Sequence, residues 1–292
     1  MRCTRGRRFY TAGLAALGVL GAYVLAGAAA SAATLDRIKQ DKSIRIAYRP
    51  DAPPFSYKGK SGEPTGFMID LCRAVSDNLA RQLHLGSIKI VYVPVIAVDR
   101  FDAIAKGTAD LLCEPTTQTL SRREQVDFSI PTFVDGAGLM IRSDGPKSLA
   151  ALAGRKIGVL AGTTTEQELN GSLKDAGITA TVTPARTHDE GLAMLDDGKI
   201  SAYFADRAIL MFLAGQSKAP KKLLLADNYL TIEPYALALP HGDEDFRLAV
   251  DRALSTIYRS GKIVAIFNHT FGAETKPSPT LQMLYLISGL PE

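Results

Sequence analysis

Three short polar clusters in this chain could hold a ligand. Thr116-Thr117 follows the run ADLLCEP, Gly162-Thr163-Thr164 starts on the last residue of RKIGVLAG, and Asp206 closes SAYFAD. Hydroxyls and the free N–H groups of a helix start attract anions; a carboxylate attracts a cation. Each cluster also has a plainer use, since the threonines can simply start a helix and Asp206 can cap the segment from Arg207. Catalytic sets are not visible. There is no Ser/His/Asp constellation, phosphate-binding loop, C-x-x-C or His pair at helical spacing, and His84, His188, His241 and His269 are scattered. Binding is therefore expected, with no catalytic residue, no metal and no cofactor.

The clusters need elements to place them. SIRIAYR from Ser43 alternates as a strand, and PDAPPFSY follows as a Pro-rich turn. GFMIDLCRAVSDNLARQL puts Phe67, Leu71, Val75 and Leu79 on one helical face. KIVYVPV reads as a strand, DRFDAIAKG as a helix stopped by Gly107, and ADLLCEP as a strand entering a Thr-rich loop. Past VDGAGLMIR the alternation restarts, through RKIGVLAG, a helix behind Gly162, HDEGLAMLDDG and SAYFAD. Strand–helix alternation predicts parallel α/β sheets. A pattern that restarts predicts two lobes and a cleft, where ligands sit at strand carboxyl ends. All three polar clusters fall at such ends.

At the N-terminus, Arg2, Arg5, Arg7 and Arg8 precede an apolar run that ends in Ala28–Ala33, with an A-x-A site at Ala30-Ser31-Ala32. This pattern predicts a signal peptide over residues 1–33, cleaved near Ala32, and a periplasmic destination. The chain has 34 Lys+Arg and 30 Asp+Glu; without the four leader arginines the two signs balance. No nucleic-acid partner is expected from such a charge. Cys72 and Cys113 make no disulfide framework, so two buried thiols are the slightly favoured expectation and a disulfide the alternative.

Taken in order, GFMIDLCRAV from Gly66, TTQTLSRREQVDFSIP from Thr116, LAGTTTE from Leu160, DDGKISAYFAD from Asp196 and YRSGKIVAIFNHTFG resemble one family. It is that of the polar amino-acid-binding proteins of ABC importers, solute-binding protein family 3. The run TLDRIKQDKSIRIAYRPDAPPFSY is closest to glutamate/aspartate-binding members. The resemblance implies an α/β, two-lobed periplasmic binding protein of type II, closing about a hinge over ligand in the interlobe cleft. Lobe 1 is expected at 34–139 plus 234–292, and lobe 2 at 140–233. Met68 stands where the family carries an acid and is expected on a helix surface.

The resemblance also implies a ligand set. Arg122 matches an arginine that binds the α-carboxylate, as a guanidinium can with two parallel hydrogen bonds. Thr117, Thr163 and Thr164 add donors, and Asp206 matches the acid that receives the α-ammonium. Arg49, Arg100 and His188 match the donors around an acidic side chain, a subsite that would repel a cationic one. Ala97 and Pro115 replace serines of many relatives and make the pocket less polar. Plainer alternatives are Arg49 paired with Asp51 or Glu63, Arg100 on a helix surface, Arg122-Arg123 as a solvated pair, and His188 capping its helix.

The expected function is a monomeric, non-enzymatic periplasmic receptor that delivers an acidic amino acid to an ABC permease in the inner membrane. One alternative is a receptor for another amino acid or an opine-like ligand. Another is a dehydratase of the cyclohexadienyl or arogenate type on the same fold, which needs a general acid. Glu114, expected as a partly exposed strand-end carboxylate, and His188 are its candidates. A sensor would be expected to add a transmembrane helix and a signalling domain; the apolar tail TLQMLYLISGLPE is too short to span and reads as a strap on the first lobe, or a dock.

Overall fold

The computed structural model describes residues 34–226 and 230–292. The expected signal peptide and its cleavage site lie outside the described residues. Helix α1 (Thr34–Asp41) leads into β1 (Ser43–Tyr48), and a small antiparallel flap follows, β2 (Asp51–Ala52), β3 (Ser56–Lys58) and β4 (Pro64–Thr65). Next come α2 (Phe67–Gln82), β5 (Lys89–Pro94), α3 (Arg100–Ala105), β6 (Leu111–Leu112) and β7 (Val126–Phe128). Strand β8 (Phe133–Asp135) carries the chain to β9 (Ala137–Arg142). From there β10 (Lys156–Leu160), α4 (Thr164–Asp175), β11 (Thr181–Ala185), α5 (His188–Asp196), β12 (Ala202–Asp206), α6 (Arg207–Gln216) and β13 (Leu223–Leu225) follow. The chain returns through β14 (Glu233–Tyr235) and β15 (Ala238–Pro240), then ends in α7 (Glu244–Arg259), α8 (Lys262–Phe271) and α9 (Pro279–Ser288).

These strands build two five-stranded sheets, ordered β5-β1-β6-β15-β7 and β11-β10-β12-β9-β13. In the first, β1 is parallel to both β5 and β6; in the second, β10 is parallel to β11 and β12. The helices follow the parallel strands, as right-handed crossovers require. Among the described residues two connections join the sheets, and they pair with each other: β8 runs antiparallel to β14, with Glu233 opposite Asp135 and Tyr235 opposite Phe133. The fold is the two-lobed, type II one. All of β9 lies in the second sheet, so the expected division between residues 139 and 140 falls inside a strand.

Beside this ladder sits an aromatic cluster. Phe55 packs edge-on against Phe133 and Tyr235, with ring centres 4.9 and 5.4 Å apart, while Phe67 and Phe271 close the far side. Fully burying such side chains contributes about 1.5–3 kcal/mol each, so the region where the lobes join is held by an apolar cluster as well as by the ladder.

Two local expectations change. Met68 is fully buried and accepts from Thr132 Oγ1 at 3.7 Å. Helix α2 packs on β1 on one side and on α7 and α8 on the other, so its family-acid position has no solvent to face, and an apolar thioether fits where a carboxylate would not. Cys72 and Cys113 are not free thiols but a disulfide, with Cα atoms 6.4 Å apart. The cysteine on the inner face of α2 lies directly over the end of β6. The C-terminal segment packs on the first lobe as expected, in the form of helix α9: Tyr285 of α9 meets Tyr258 of α7 at 5.0 Å, and Ser255 Oγ donates to Ser288 O.

Candidate functional site

The eight residues singled out from the sequence, Arg49, Arg100, Thr117, Arg122, Thr163, Thr164, His188 and Asp206, all line one cavity between the two sheets. Arg49 leaves the end of β1, and Arg100 opens α3. Thr117 and Arg122 sit in the loop after β6, Arg122 beginning a single 3-10 turn. Thr163 caps α4 by accepting from Glu166 N, and Thr164 is that helix's first residue. His188 is the first residue of α5, but Thr187 does the capping. Asp206 ends β12 just before α6, and its side chain makes no capping bond. The cavity is narrow, about 20 Å3, room for about one water molecule. Its walls are nearly in contact, so an amino acid can enter only when they separate.

One end of the cavity is rich in acid. Asp206 Oδ2 accepts from Tyr235 OH at 2.6 Å, while its buried Oδ1 has no hydrogen-bond partner among the described residues. Burial, with Asp135 and Glu233 nearby, pushes the Asp206 pKa up to about 8. Asp135 is itself raised to about 6, chiefly by burial and despite accepting from Gly136 N and Ala208 N. Glu233 is buried and takes three hydroxyl donors, from Thr117 at 2.5 Å, Thr164 at 3.0 Å and Thr231 at 2.8 Å. Arg122 reaches the same region, donating to Thr117 O at 2.6 Å, with burial lowering its pKa. Such a site has one carboxylate oxygen open to an ammonium and a guanidinium beside it.

At the other end the charges already cancel. Arg49 lies against Asp51, with Nε donating to Oδ1 at 3.0 Å, one of the plainer alternatives foreseen in the sequence. Arg100 is not on a helix surface but 3 % exposed. Its Nε lies 3.1 Å from Glu114 Oε1, and Arg49 Nη1 lies 3.8 Å from Glu114 Oε2. Neither contact with Glu114 is aligned as a hydrogen bond: Arg100 Nε and Glu114 Oε2 both lack a hydrogen-bond partner among the described residues. Glu114 is fully buried, not the partly exposed strand-end residue expected, because Arg49 and Arg100 close over it; Thr116 donates to its Oε1. Burial raises the Glu114 pKa against the pull of Arg100, Arg49 and Arg122, and lowers Arg100 to about 10. His188 Nδ1 meets Tyr203 OH at 3.0 Å. Burial first, and Arg49 second, hold the His188 pKa near 3, so the ring is neutral at ordinary pH. Gly191 makes room for that Tyr203: a Cβ there would lie 2.2 Å from the ring.

Four residues at the site carried little signal in the sequence. Glu233 and Tyr235 arrive on the return strand, in TIEPY, with nothing local to mark them. Phe101 lies flat beneath two guanidinium groups, 4.6 Å from Arg100 and 5.3 Å from Arg122, holding both by cation–π contact. Asp51 was visible only as a neighbour of Arg49. Its Oδ2 also accepts from His188 N at 3.3 Å, across the cleft. Two further contacts cross it, Arg100 Nη1 to Gly162 O at 3.3 Å and Thr164 Oγ1 to Thr117 Oγ1 at 3.4 Å. Among the described residues no group of His, Cys, Asp and Glu is arranged to hold a metal ion, and no helix is long and apolar enough to cross a membrane.

This two-sheet frame with a charged interlobe cavity has known relatives. Residues 44–273 match the bacterial extracellular solute-binding proteins, family 3. The chain belongs to that family. An L-glutamate/L-aspartate-binding protein of Pseudomonas aeruginosa is 31% identical over 248 residues, covering 84% of this chain and 81% of the relative. An ancestral arginine-binding protein solved with arginine bound superimposes with a TM-score of 0.71 at 28% identity, over 79% of this chain and 99% of that one. An ancestral amino acid-binding protein, described as a precursor of cyclohexadienyl dehydratase, gives a TM-score of 0.71 at 26% identity, over 82% and 99%. Relatives of this solute-binding protein thus span more than one ligand class on one frame. What its own cavity holds has to be argued from its side chains.

Proposed function

We propose that this solute-binding protein is the periplasmic receptor of an amino-acid ABC importer, acting as a monomer, and that its ligand is an acidic amino acid of the glutamate/aspartate kind. The observation that carries the amino-acid part is the pairing of an unpartnered, buried Asp206 Oδ1 with the Arg122 guanidinium at one end of a single cavity. An α-ammonium and an α-carboxylate need that pair when they leave water. The acidic part rests on Arg49 and Arg100 at the opposite end, with neutral His188 as a further polar contact, and on the likeness to the Pseudomonas receptor. The β8–β14 ladder then serves as the hinge, and the Asp51–His188, Arg100–Gly162 and Thr164–Thr117 contacts as latches of the closed form.

One observation favours a second ligand. Glu114 stands between the two arginines, and a side-chain amide would suit that setting, its N–H2 donating to Glu114 and its carbonyl accepting from an arginine. Calorimetric titration of protein stripped of ligand by unfolding and refolding separates the cases. Glutamate is expected to bind, and glutarate, which lacks the α-amine, to bind at least about 30-fold more weakly. Equal affinities would remove Asp206 from its role, and tight binding of glutamine with none of glutamate would leave the amide reading.

A further inference from the structure

We propose that Glu114 is the specificity-determining residue of the side-chain subsite: it is a built-in counter-anion for Arg49 and Arg100, and an acidic side chain binds beside it only as Glu114 takes up one proton from solvent. This rests on the acidic-ligand reading above.

The geometry leaves few other outcomes. Glu114 is fully buried, with Oε1 3.1 Å from Arg100 Nε and Oε2 3.8 Å from Arg49 Nη1. A ligand carboxylate drawn to these two arginines must come within a few ångströms of Glu114. Two carboxylates sharing one site cannot both stay ionised. The proton has an obvious seat, because Glu114 Oε2 has no hydrogen-bond partner among the described residues; protonated there, Glu114 turns from a repelling anion into a donor to the ligand. The other charged groups around it do not replace that proton. Arg122 stands on the same loop and Asp51 on the far side of Arg49, where it already accepts from that arginine. Asp206, across the cavity, is acidic and bonded to Tyr235. His188 is held neutral by burial and by Arg49. Burial pushes Glu114 in the same direction as the incoming carboxylate would. An amide side chain makes no such demand, so glutamate and glutamine should differ by one proton.

Calorimetry in buffers of low and high ionisation enthalpy counts protons directly. Any proton released from Asp206 by the α-ammonium is common to both ligands and cancels in their difference. Above the Glu114 pKa of the free protein, glutamate is expected to take up about one more proton than glutamine, and to lose up to about tenfold in affinity relative to glutamine for each pH unit. Glu114→Gln should abolish both the extra proton and the relative pH slope. Glutamate binding with no proton difference in the wild-type protein overturns the proposal while leaving the acidic-ligand reading intact. A difference that survives in Glu114→Gln overturns it as well. Failure of both proteins to bind glutamate at any pH overturns the acidic-ligand reading and this proposal with it. The wild-type comparison decides even if the variant folds poorly.

Discussion

The Asp206 end of the cavity and the Glu114 end are built on opposite principles. At the first, Asp206 is buried beside Glu233 and Asp135, and burial, with the two neighbouring acids adding to it, raises Asp206 until a cation arrives. At the second, Arg49 and Arg100 already have Asp51 and Glu114. An end with an unmet charge gains the whole interaction when a ligand supplies its partner. An end that is self-neutralised gains only the difference between the ligand and the internal partner it displaces. On the proposed reading, the first end would fix the class of ligand, and the second would discriminate within that class.

The largest expected effect concerns how the second end is held. Cys113 immediately precedes Glu114, so the disulfide to Cys72 pins the strand end that presents it. Replacing both cysteines by serine should cost about 4 kcal/mol of stability on the chain-entropy estimate for a loop of this length, read as a lowered urea midpoint. No change would mean that α2 and β6 are fixed by packing alone. Next in size is Arg122→Ala, expected to weaken every amino-acid ligand by about 3 kcal/mol, on the order of 100-fold, in titration calorimetry. A loss restricted to acidic ligands would move Arg122 to the other end and collapse the distinction.

Asp206→Asn should cost about 2 kcal/mol for ligands with a free α-amine and little for plain dicarboxylates. Its pH dependence has a definite sign. The carboxyl is protonated below about pH 8 in the free protein, and an ammonium ligand needs it ionised, so binding releases a proton. Affinity for a neutral amino acid should then rise with pH up to about 8 and level off, by at most about tenfold per unit. Asn should flatten that profile. Smallest is Gly162→Ala. Gly162 has φ +74°, and a Cβ there would lie 2.7 Å from Val98 Cγ1 on the opposite wall. The substitution should cost about 1 kcal/mol or somewhat more in affinity, because it obstructs closure at both ends equally; a loss for one ligand class only would argue against that.

Much of this was legible in the sequence and some could not be. The strand–helix alternation put Thr117, Thr163 and Asp206 at strand ends, and those ends meet because parallel strands share a direction. Arg49 and Arg100 were likewise visible as cations. The Arg49–Asp51 pair was foreseen as an alternative, but neutralisation by Glu114 was not, since Glu114 reads like any carboxylate at a strand end until two residues distant in the chain close over it. Met68 was misread for a related reason: its helix is covered on both sides, so amphipathic spacing marks one buried face and is silent about the second. The cysteine pair needed α2 and β6 in register, which no spacing within either segment reports.

The central claim is that the Asp206 end demands an α-amino acid and the Arg49/Arg100/Glu114 end excludes a cationic side chain. Thermal melting of ligand-stripped protein against glutamate, aspartate, glutamine, asparagine, arginine and lysine tests both halves at once, since a ligand at about 100 times its Kd adds about 2.7 kcal/mol of stability. The account predicts a clear upward shift with the acidic amino acids, a shift with their amides that gains on them as pH rises, and none with arginine or lysine. A shift with arginine or lysine, and silence from glutamate and aspartate, would contradict it.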